Sequence, residues 1–253
     1  MPKLLDHGYL DYVEHWGSDE RIIEAARMST GKGFLGWEPG LCPTCEGFKR
    51  EAPLPPCNDC GGTGRIAGDI NLLRRLWTKK HATPFEMAGI IVEVQAPIMV
   101  FREWHRHRTQ SYNEMSARYA PLPDVNYIPS VERLMVGSDG KNKQAGTVKD
   151  AAVLTVENAK SFQEGLKLIY HNQQMLYETA LANGVPKELA RVHLPVGRYS
   201  RMRASANLRN WLAFLTLRMS PDAQWEIRQY ADALCAMLTE RFTRTMSLFM
   251  EGK

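Results

Sequence analysis

The sequence predicts a single α+β domain, in which several helices accompany at least one strand. The chain has 253 residues and 44% of them are hydrophobic, so it can bury one sizeable core. The apolar and mostly β-branched residues 90–94 indicate a strand, whereas residues 153–182 have the apolar spacing of a long amphipathic helix. We expect these elements to form one domain over residues 1–253.

Composition excludes several classes of protein. The mean hydropathy is −0.36 and no apolar run approaches the length of a membrane span, so we expect no transmembrane helix. The first residues contain no long apolar segment with a small-residue cleavage site, which predicts a cytoplasmic protein. The net charge of +4 suits small anionic ligands but is too weak to require nucleic acid as a partner.

The N-terminal third contains two predicted helices. Ser18 is expected to cap a helix that begins with residues 19–21 and is broken by residues 28–33. Asp69 is expected to cap a second helix, whose apolar side chains are Leu72, Leu73, Leu76 and Trp77.

Between these helices, four of the five cysteines form two CxxC pairs, Cys42/Cys45 and Cys57/Cys60. Two such pairs separated by eleven residues indicate a four-thiolate zinc site. Disulfides are the alternative, but a cytoplasmic chain keeps its thiols reduced. Cys235 lies in an apolar-periodic segment and is expected to belong to the core.

The most unusual stretch is residues 102–119, REWHRHRTQSYNEMSARY, with four arginines, two histidines and two glutamates. Neither a helical nor a strand period explains this pattern. Consecutive Arg106, His107 and Arg108 would repel one another unless an anion lay among them, and a guanidinium suits phosphate. A solvated basic loop is the simpler interpretation. However, the interleaved serine and asparagine residues offer the varied donors and acceptors that a phosphate, a ribose and a base need together, so we predict a nucleotide site.

The C-terminal half is predicted to be mainly helical. Pro97 is expected to open a helix over residues 98–104, and residues 121–149 to form a flexible excursion. The long helix at 153–182 should end at Asn183-Gly184. Further helices are expected at residues 186–195, at 205–218, and from 223 almost to the C-terminus.

The spacing of Arg106-His107-Arg108, seven residues and Ser116 resembles the signature of the flavin-dependent thymidylate synthases, and the longer match is RHRxxSxNExSxRY. The segments HATPFE, ARVHLP, NLRN and AQWEIR also resemble that family, in the same order. The resemblance covers the chain except residues 34–68 and 121–149. It implies a mixed sheet with long helices, a homotetramer, and a zinc-knuckle-like segment inserted at 34–68.

The resemblance also implies residue roles. Arg218 would act catalytically by promoting ionisation of the uracil ring, although an arginine at a helix end more often caps the last carbonyls. His81 would lie near the folate or flavin rings, unless it is only a helix-end histidine bonded to the backbone. The residues implied for dUMP are Glu103, Arg106, Glu114, Ser116, Ala117, Arg118, Arg191 and Arg218. The residues implied for FAD are Thr83, Glu86, Arg106, His107, Arg108, Glu114, Asn207 and Arg209.

The implied activity is synthesis of dTMP from dUMP, with methylenetetrahydrofolate as the carbon donor and NADPH-reduced FAD as the hydride source. Two positions depart from the family pattern, Ala213 and Asp222, and both would lie near the flavin. One alternative is a related enzyme that makes a hydroxymethylated pyrimidine nucleotide. The other is a non-catalytic zinc-knuckle protein that binds nucleic acid, but residues 42–60 carry few basic side chains and one aromatic, Phe48.

Overall fold

The computed structural model describes residues 3–48, 55–135 and 154–252. Its strands are β1 (Tyr9–Trp16), β2 (Gly40–Leu41), β3 (Arg65–Ile66), β4 (Gly89–Pro97), β5 (Ser111–Glu114) and β6 (Tyr199–Asn207). Its α-helices are α1 (Asp19–Arg27), α2 (Asp69–Thr78), α3 (Ile98–Trp104), α4 (Val131–Met135), α5 (Val156–Ala182), α6 (Lys187–Ala190), α7 (Leu208–Arg218), α8 (Trp225–Arg241) and α9 (Thr243–Glu251). Two 3-10 helices span Met28–Thr30 and Thr83–Met87.

The main sheet has four strands in the order β1-β4-β6-β5, and a small second sheet pairs β2 with β3. The expectation of a mixed sheet was wrong, because neighbouring strands run antiparallel. β5 pairs antiparallel with β6, and the N–H of Ile98 donates to the carbonyl of Arg198 while Glu93 pairs with Arg203. Partner numbers that fall as β4 advances are the mark of an antiparallel pair.

The prediction of strand β4 is confirmed, but three strands of the main sheet were missed. β6 shows the alternation of a half-buried strand, with Met202 and Ala204 buried and Arg201 and Arg203 exposed. This strand also replaces the first residues of the helix predicted at 205–218, which begins only at Leu208. β1 and β5 were missed because most of their side chains are exposed and they lack an apolar face.

The chain divides into two compact units. The first comprises Met1–Val13, Ile91–Ser205 and Phe214–Leu234, and the second comprises Glu14–Ile90, Ala206–Ala213 and Cys235–Lys253. In the first unit, Trp104 packs against Phe214 with ring centroids 4.6 Å apart and meets Tyr230 edge-on at 6.4 Å. All three rings are fully buried, so they form the aromatic centre of that unit.

The second unit is organised around a buried carboxylate at the start of α1. Asp19 accepts hydrogen bonds from the backbone N–H groups of Arg244 and Thr245 at 2.8 and 3.2 Å and from the Thr245 hydroxyl at 2.6 Å. These N–H groups belong to the first turn of α9, where backbone donors have no partners within the helix. The single final helix that was predicted is therefore two helices, separated at Phe242, whose φ of −125° is not helical.

Two cap predictions had different outcomes. The Ser18 hydroxyl accepts from the N–H of Arg21, as expected for an N-cap. The prediction for Asp69 was wrong, because Gly68 occupies the cap position and the fully buried Asp69 carboxylate pairs with Arg27. The same carboxylate accepts from the N–H of Leu35 at 2.8 Å, so it ties the preceding segment to α2.

The excursion predicted at 121–149 is contradicted for its described part, residues 121–135. The Tyr127 side chain is buried, its hydroxyl donates to Glu226 at 3.1 Å, and its N–H donates to the carbonyl of Gly197. Residues 136–149 lie outside the described residues. The long helix begins at Val156 rather than 153, and it ends at Ala182 with Asn183 as its C-cap, as predicted.

Within the described ranges, no helix has the length and apolar character needed to cross a membrane.

Candidate active site

The centre of the candidate site is the guanidinium of Arg218, which three hydrogen bonds hold in the first unit. Its Nε donates to Nε2 of His107 at 2.8 Å, and one terminal nitrogen donates to the Glu103 carboxylate at 2.6 Å. The other terminal nitrogen donates to the backbone carbonyl of Glu103 at 2.8 Å. The Arg218 side chain is 14% exposed, which is low for an arginine at the end of a helix. It does not serve merely as a helix cap, because its contacts are to α3 and to the turn that follows.

His107 must be neutral to accept this bond, and its surroundings favour that form. Burial lowers the pKa of the imidazole, and the charge of Arg218 lowers it further, to about 4. The proton of the neutral ring is therefore assigned to Nδ1. The ring also meets Phe214 edge-on at 4.7 Å, one helical turn before Arg218.

The turn between α3 and β5 is fixed by a residue that sequence reasoning did not single out. The Tyr112 hydroxyl donates to the carbonyl of His107 at 2.6 Å and to that of Trp104 at 3.2 Å. Burial raises the pKa of this hydroxyl to about 12, so it stays a donor. The Trp104 indole donates to Gln110 at 3.0 Å from inside the same turn. The sequence signal that could have revealed Tyr112 is its position in a strand, where it faces the side opposite to its exposed neighbours Ser111 and Asn113.

The remaining arginines of the stretch lie on its surface. Arg106 and Arg108 flank His107 and are exposed, as is Glu114 at the end of β5. Ala117 is buried, and the N–H of Arg118 donates to the Ser116 hydroxyl at 3.3 Å. The buried Ala117 therefore lies between Ser116 and Arg118, whose polar side chains are more accessible to a ligand.

Helix α6 supplies further contacts to this segment. Glu188 pairs with the Arg118 guanidinium at 2.9 Å, and Lys187 donates to the carbonyl of Tyr119 at 3.0 Å. Arg191 caps the same helix. Because both Arg118 and Glu188 are at least half exposed, their pair is weak and an anion can displace it at little cost.

A second group of predicted residues lies in the second unit. Glu86 pairs with Arg209, and the Asn207 side-chain oxygen accepts from the N–H of Asn210 at 3.0 Å, which caps α7. Thr83 begins the 3-10 helix and is exposed. His81 has an exposed side chain, and its backbone N–H donates to the carbonyl of Leu76 at 2.9 Å.

The four clustered cysteines form a candidate metal centre. Their sulfur atoms all lie within 4.8 Å of one another, with Cys42–Cys57 at 3.8 Å and Cys45–Cys60 at 3.7 Å. A tetrahedral zinc with Zn–S bonds of ~2.3 Å has sulfur–sulfur edges of about 3.8 Å. A disulfide would bring two sulfurs to about 2 Å, so these thiols match a metal site.

Comparison with known proteins identifies the family. The family model described as "Thymidylate synthase complementing protein" matches residues 11–242. The chain belongs to this family. A flavin-dependent thymidylate synthase from Thermus thermophilus is 34% identical over 98% of this chain and 77% of its own length. One from Thermosipho melanesiensis is 33% identical and covers 98% of this chain and 93% of its own length.

A solved structure extends the similarity to the fold. The UMP/dUMP methylase PolB from Streptomyces cacaoi, bound with 5-Br UMP, has a TM-score of 0.75 and 26% identity. The match covers 98% of this chain and 96% of that chain. The family resemblance inferred from RHRxxSxNExSxRY is therefore confirmed.

Two positions depart from the pattern expected in the thymidylate synthase complementing family. Ala213 is an exposed residue of α7, and its methyl side chain offers no hydrogen bond where a polar side chain was expected. Asp222 lies in the turn before α8, and its N–H donates to the Ser220 hydroxyl at 3.3 Å. Neither position disturbs the contacts of Arg218.

The His107–Arg218 contact predicts a pH dependence of stability. Because the pKa of His107 is depressed in the folded chain, the contact stabilises fully above about pH 6.5, and this contribution is lost as the pH falls towards 4. A His107→Gln variant keeps an acceptor but cannot titrate. Between pH 7 and about pH 4.5, the Tm of the wild type should therefore fall further than that of the variant.

His171→Gln, at an exposed position on α5, is the control and should follow the wild type. Parallel Tm curves for the wild type and His107→Gln would contradict the assignment of a neutral, buried imidazole.

Proposed function

We propose that the protein is a flavin-dependent thymidylate synthase that converts dUMP into dTMP. The observation that carries the proposal is the fixed, partly buried Arg218 guanidinium, which contacts the arginine-rich stretch 102–119 at Glu103 and His107. Family membership and the names of the relatives support the same reaction. The chemistry attaches one carbon to C5 of uracil, which is not nucleophilic unaided. A cation beside the ring favours the enolate-like form that can react.

In this proposal, dUMP lies against the first unit. The exposed guanidinium groups of Arg106 and Arg118 suit its phosphate, because each offers a planar pair of donors. Serine and glutamate side chains would bond the sugar and the base. The full set proposed for dUMP comprises Glu103, Arg106, Glu114, Ser116, Ala117, Arg118, Arg191 and Arg218.

FAD, when bound, supplies the hydride transfer, after reduction by NADPH, while methylenetetrahydrofolate supplies the carbon. The exposed arginines at 106 and 108 fit the charge of a diphosphate-bearing cofactor. We propose that His81 lies near the folate or flavin rings. The residues proposed for FAD are Thr83, Glu86, Arg106, His107, Arg108, Glu114, Asn207 and Arg209.

The cysteines do not favour a covalent route through C6 of uracil. Four form the candidate metal centre, and the fifth, Cys235, is buried on α8 with its sulfur 3.9 Å from that of Met250. A buried thiol in apolar surroundings is a poor nucleophile. Electrostatic activation by Arg218 therefore fits this chain better.

The similarity to the UMP/dUMP methylase favours a second candidate, in which UMP is also methylated. The two candidates differ only in the 2′ position of the ribose, so both use Arg218 in the same way. They separate in an assay that offers each nucleotide in turn.

The activity test is dTMP formation by the purified protein with FAD, NADPH and methylenetetrahydrofolate. Arg218→Lys keeps a charge but loses the planar fork that bonds Glu103 and His107, so kcat should fall by about 10²-fold or more. Arg74→Lys, in an exposed pair with Glu251, should retain wild-type kcat. Equal kcat/KM for UMP and dUMP would favour the broader methylase, and no methylation of either nucleotide would refute the proposal.

We also propose that the inserted segment, residues 34–68, holds one structural zinc. Its buried cluster contains only Cys42, Cys45 and Cys57 among the described residues, with Cys60 and Ile66 packed against it. So small an apolar cluster cannot order a segment alone, whereas a metal bound by four thiolates can. A nucleic-acid role is less favoured, because the basic Arg65 is offset by the acidic Asp59 among the described residues of the segment. Lys49, Arg50 and Glu51 lie outside the described residues.

Elemental analysis should find one zinc per chain. Cys57→Ser should lose the metal and lower the Tm, because a three-thiolate site binds zinc more weakly. Cys235→Ala should keep full zinc content. Stoichiometric zinc in Cys57→Ser, or none in the wild type, would refute the site.

Finally, we propose that the chain assembles as a homotetramer through α5. Among its 27 residues, only Ala159 and Tyr177 are buried. Its exposed apolar side chains are Val156, Phe162, Leu168, Ile169, Met175 and Leu176. So many exposed apolar residues on one helix are typical of an interface between copies of a chain.

Light scattering coupled to size-exclusion chromatography tests this assembly. Ile169→Glu with Leu176→Glu would place charge in an apolar interface and should lower the mass from that of a tetramer. Lys160→Glu, at an exposed position of the same helix, should leave the mass unchanged. A wild-type monomer, or a double variant that remains tetrameric, would contradict the proposal.

A further inference from the structure

We infer that Glu103 and His107 are positioning residues that fix the plane of the Arg218 guanidinium for the uracil ring. This inference rests on the proposed function, because it concerns how the activating arginine is oriented. It gives Glu103 and His107 a task beyond the nucleotide and flavin contacts expected of them. Glu103 offers Arg218 both an acceptor and a negative charge, whereas the neutral His107 offers only an acceptor.

The three bonds to Arg218 are spread over its whole fork. His107 accepts from Nε, while the Glu103 carboxylate and carbonyl accept from the two terminal nitrogens. Because a guanidinium is planar, bonds at all three nitrogens fix both its direction and its rotation. These bonds use three of the five N–H donors of Arg218, and the other two remain for a ligand.

The two positioning residues are themselves fixed by the aromatic centre of the first unit. Trp104, next to Glu103, packs on Phe214, and the His107 ring packs on the same phenyl ring. Phe214 and Arg218 lie four residues apart on α7, so they share one face of the helix. Glu103 is itself 39% exposed, so its substitution should change the Arg218 contact without opening the core.

Charge and orientation act in opposite directions at Glu103. The carboxylate orients the guanidinium, but its negative charge 2.6 Å away offsets the positive field that would ionise uracil. His107 is neutral and does not restore that field. Glutamine at position 103 would keep an acceptor and remove the charge, whereas alanine would remove both.

These opposing effects predict different results for two variants. Glu103→Gln should lower kcat less than Glu103→Ala does, and it should move the acidic limb of the pH profile, which reports ionisation of the bound uracil, about one unit lower, since a nearby charge shifts a pKa by roughly 1–3 units. Glu103→Ala should lower kcat about tenfold or more below that of Glu103→Gln, because orientation is lost, whereas the KM for dUMP should rise in both variants, since Glu103 is also proposed to contact dUMP. Glu251→Gln, in the surface pair with Arg74, is the matched control and should match the wild type.

The experiment uses the full-length protein loaded with FAD, and it measures kcat, KM and pH profiles for the wild type and the three variants. A merely structural role for Glu103 would lower the Tm and leave the pH profiles superimposed. Unchanged kcat in Glu103→Ala, or an unshifted profile in Glu103→Gln, would overturn the inference.

A second measurement does not depend on activity. The side-chain Nε–H of Arg218, which donates to His107, should give a protected NMR signal, assigned by its loss in Arg218→Lys, that His107→Ala exposes to rapid solvent exchange. If the wild type makes no dTMP but this signal behaves as stated, the proposed function fails while the positioning of Arg218 stands. If the signal is equally protected in His107→Ala, the positioning itself is refuted.

Discussion

The interaction on which the candidate site depends is the three-bond anchoring of the Arg218 guanidinium by Glu103 and His107. It joins the last residue of α7 to the end of α3 and to the turn that follows, within the first unit. The buried Trp104–Phe214 pair sets the separation of these elements, and Tyr112 closes the turn from the other side. A cation that the fold places in advance costs no reorganisation when charge develops on a ligand.

In the proposed function, this arrangement replaces a nucleophile with electrostatic activation. A uracil ring becomes reactive at C5 either by covalent addition at C6 or by stabilisation of its enolate-like form. The second route requires a fixed positive charge and donors directed at the ring, and the partly buried, oriented Arg218 is proposed to provide both. The weakly paired, exposed arginines nearby remain available for phosphate groups. The cysteine cluster belongs to a separate task, because four thiols at tetrahedral spacing suit a metal rather than chemistry on a nucleotide.

The sequence singled out the candidate site more readily than the strands around it. The odd chemistry of residues 102–119 stood out because no secondary-structure period accounts for it, and the structure orders that stretch around Arg218. The CxxC spacing likewise predicted a cluster, because each short turn brings two sulfurs together. By contrast, β1 and β5 were missed because strands with mostly exposed side chains carry no apolar signal. β6 was also missed, although its sequence does alternate between buried and exposed residues. The Asp19 cap that divides the last helix joins residues far apart in sequence, so no local pattern could reveal it.

The most direct test of the central claim is the ionisation of bound uracil. The ultraviolet difference spectrum of dUMP, titrated with pH in the presence of saturating protein, reports whether N3 is protonated. The account predicts that bound dUMP ionises at a lower pH than free dUMP, and that Arg218→Lys reduces this displacement because the oriented fork is lost. Bound and free dUMP that ionise at the same pH in the wild type would contradict electrostatic activation by Arg218.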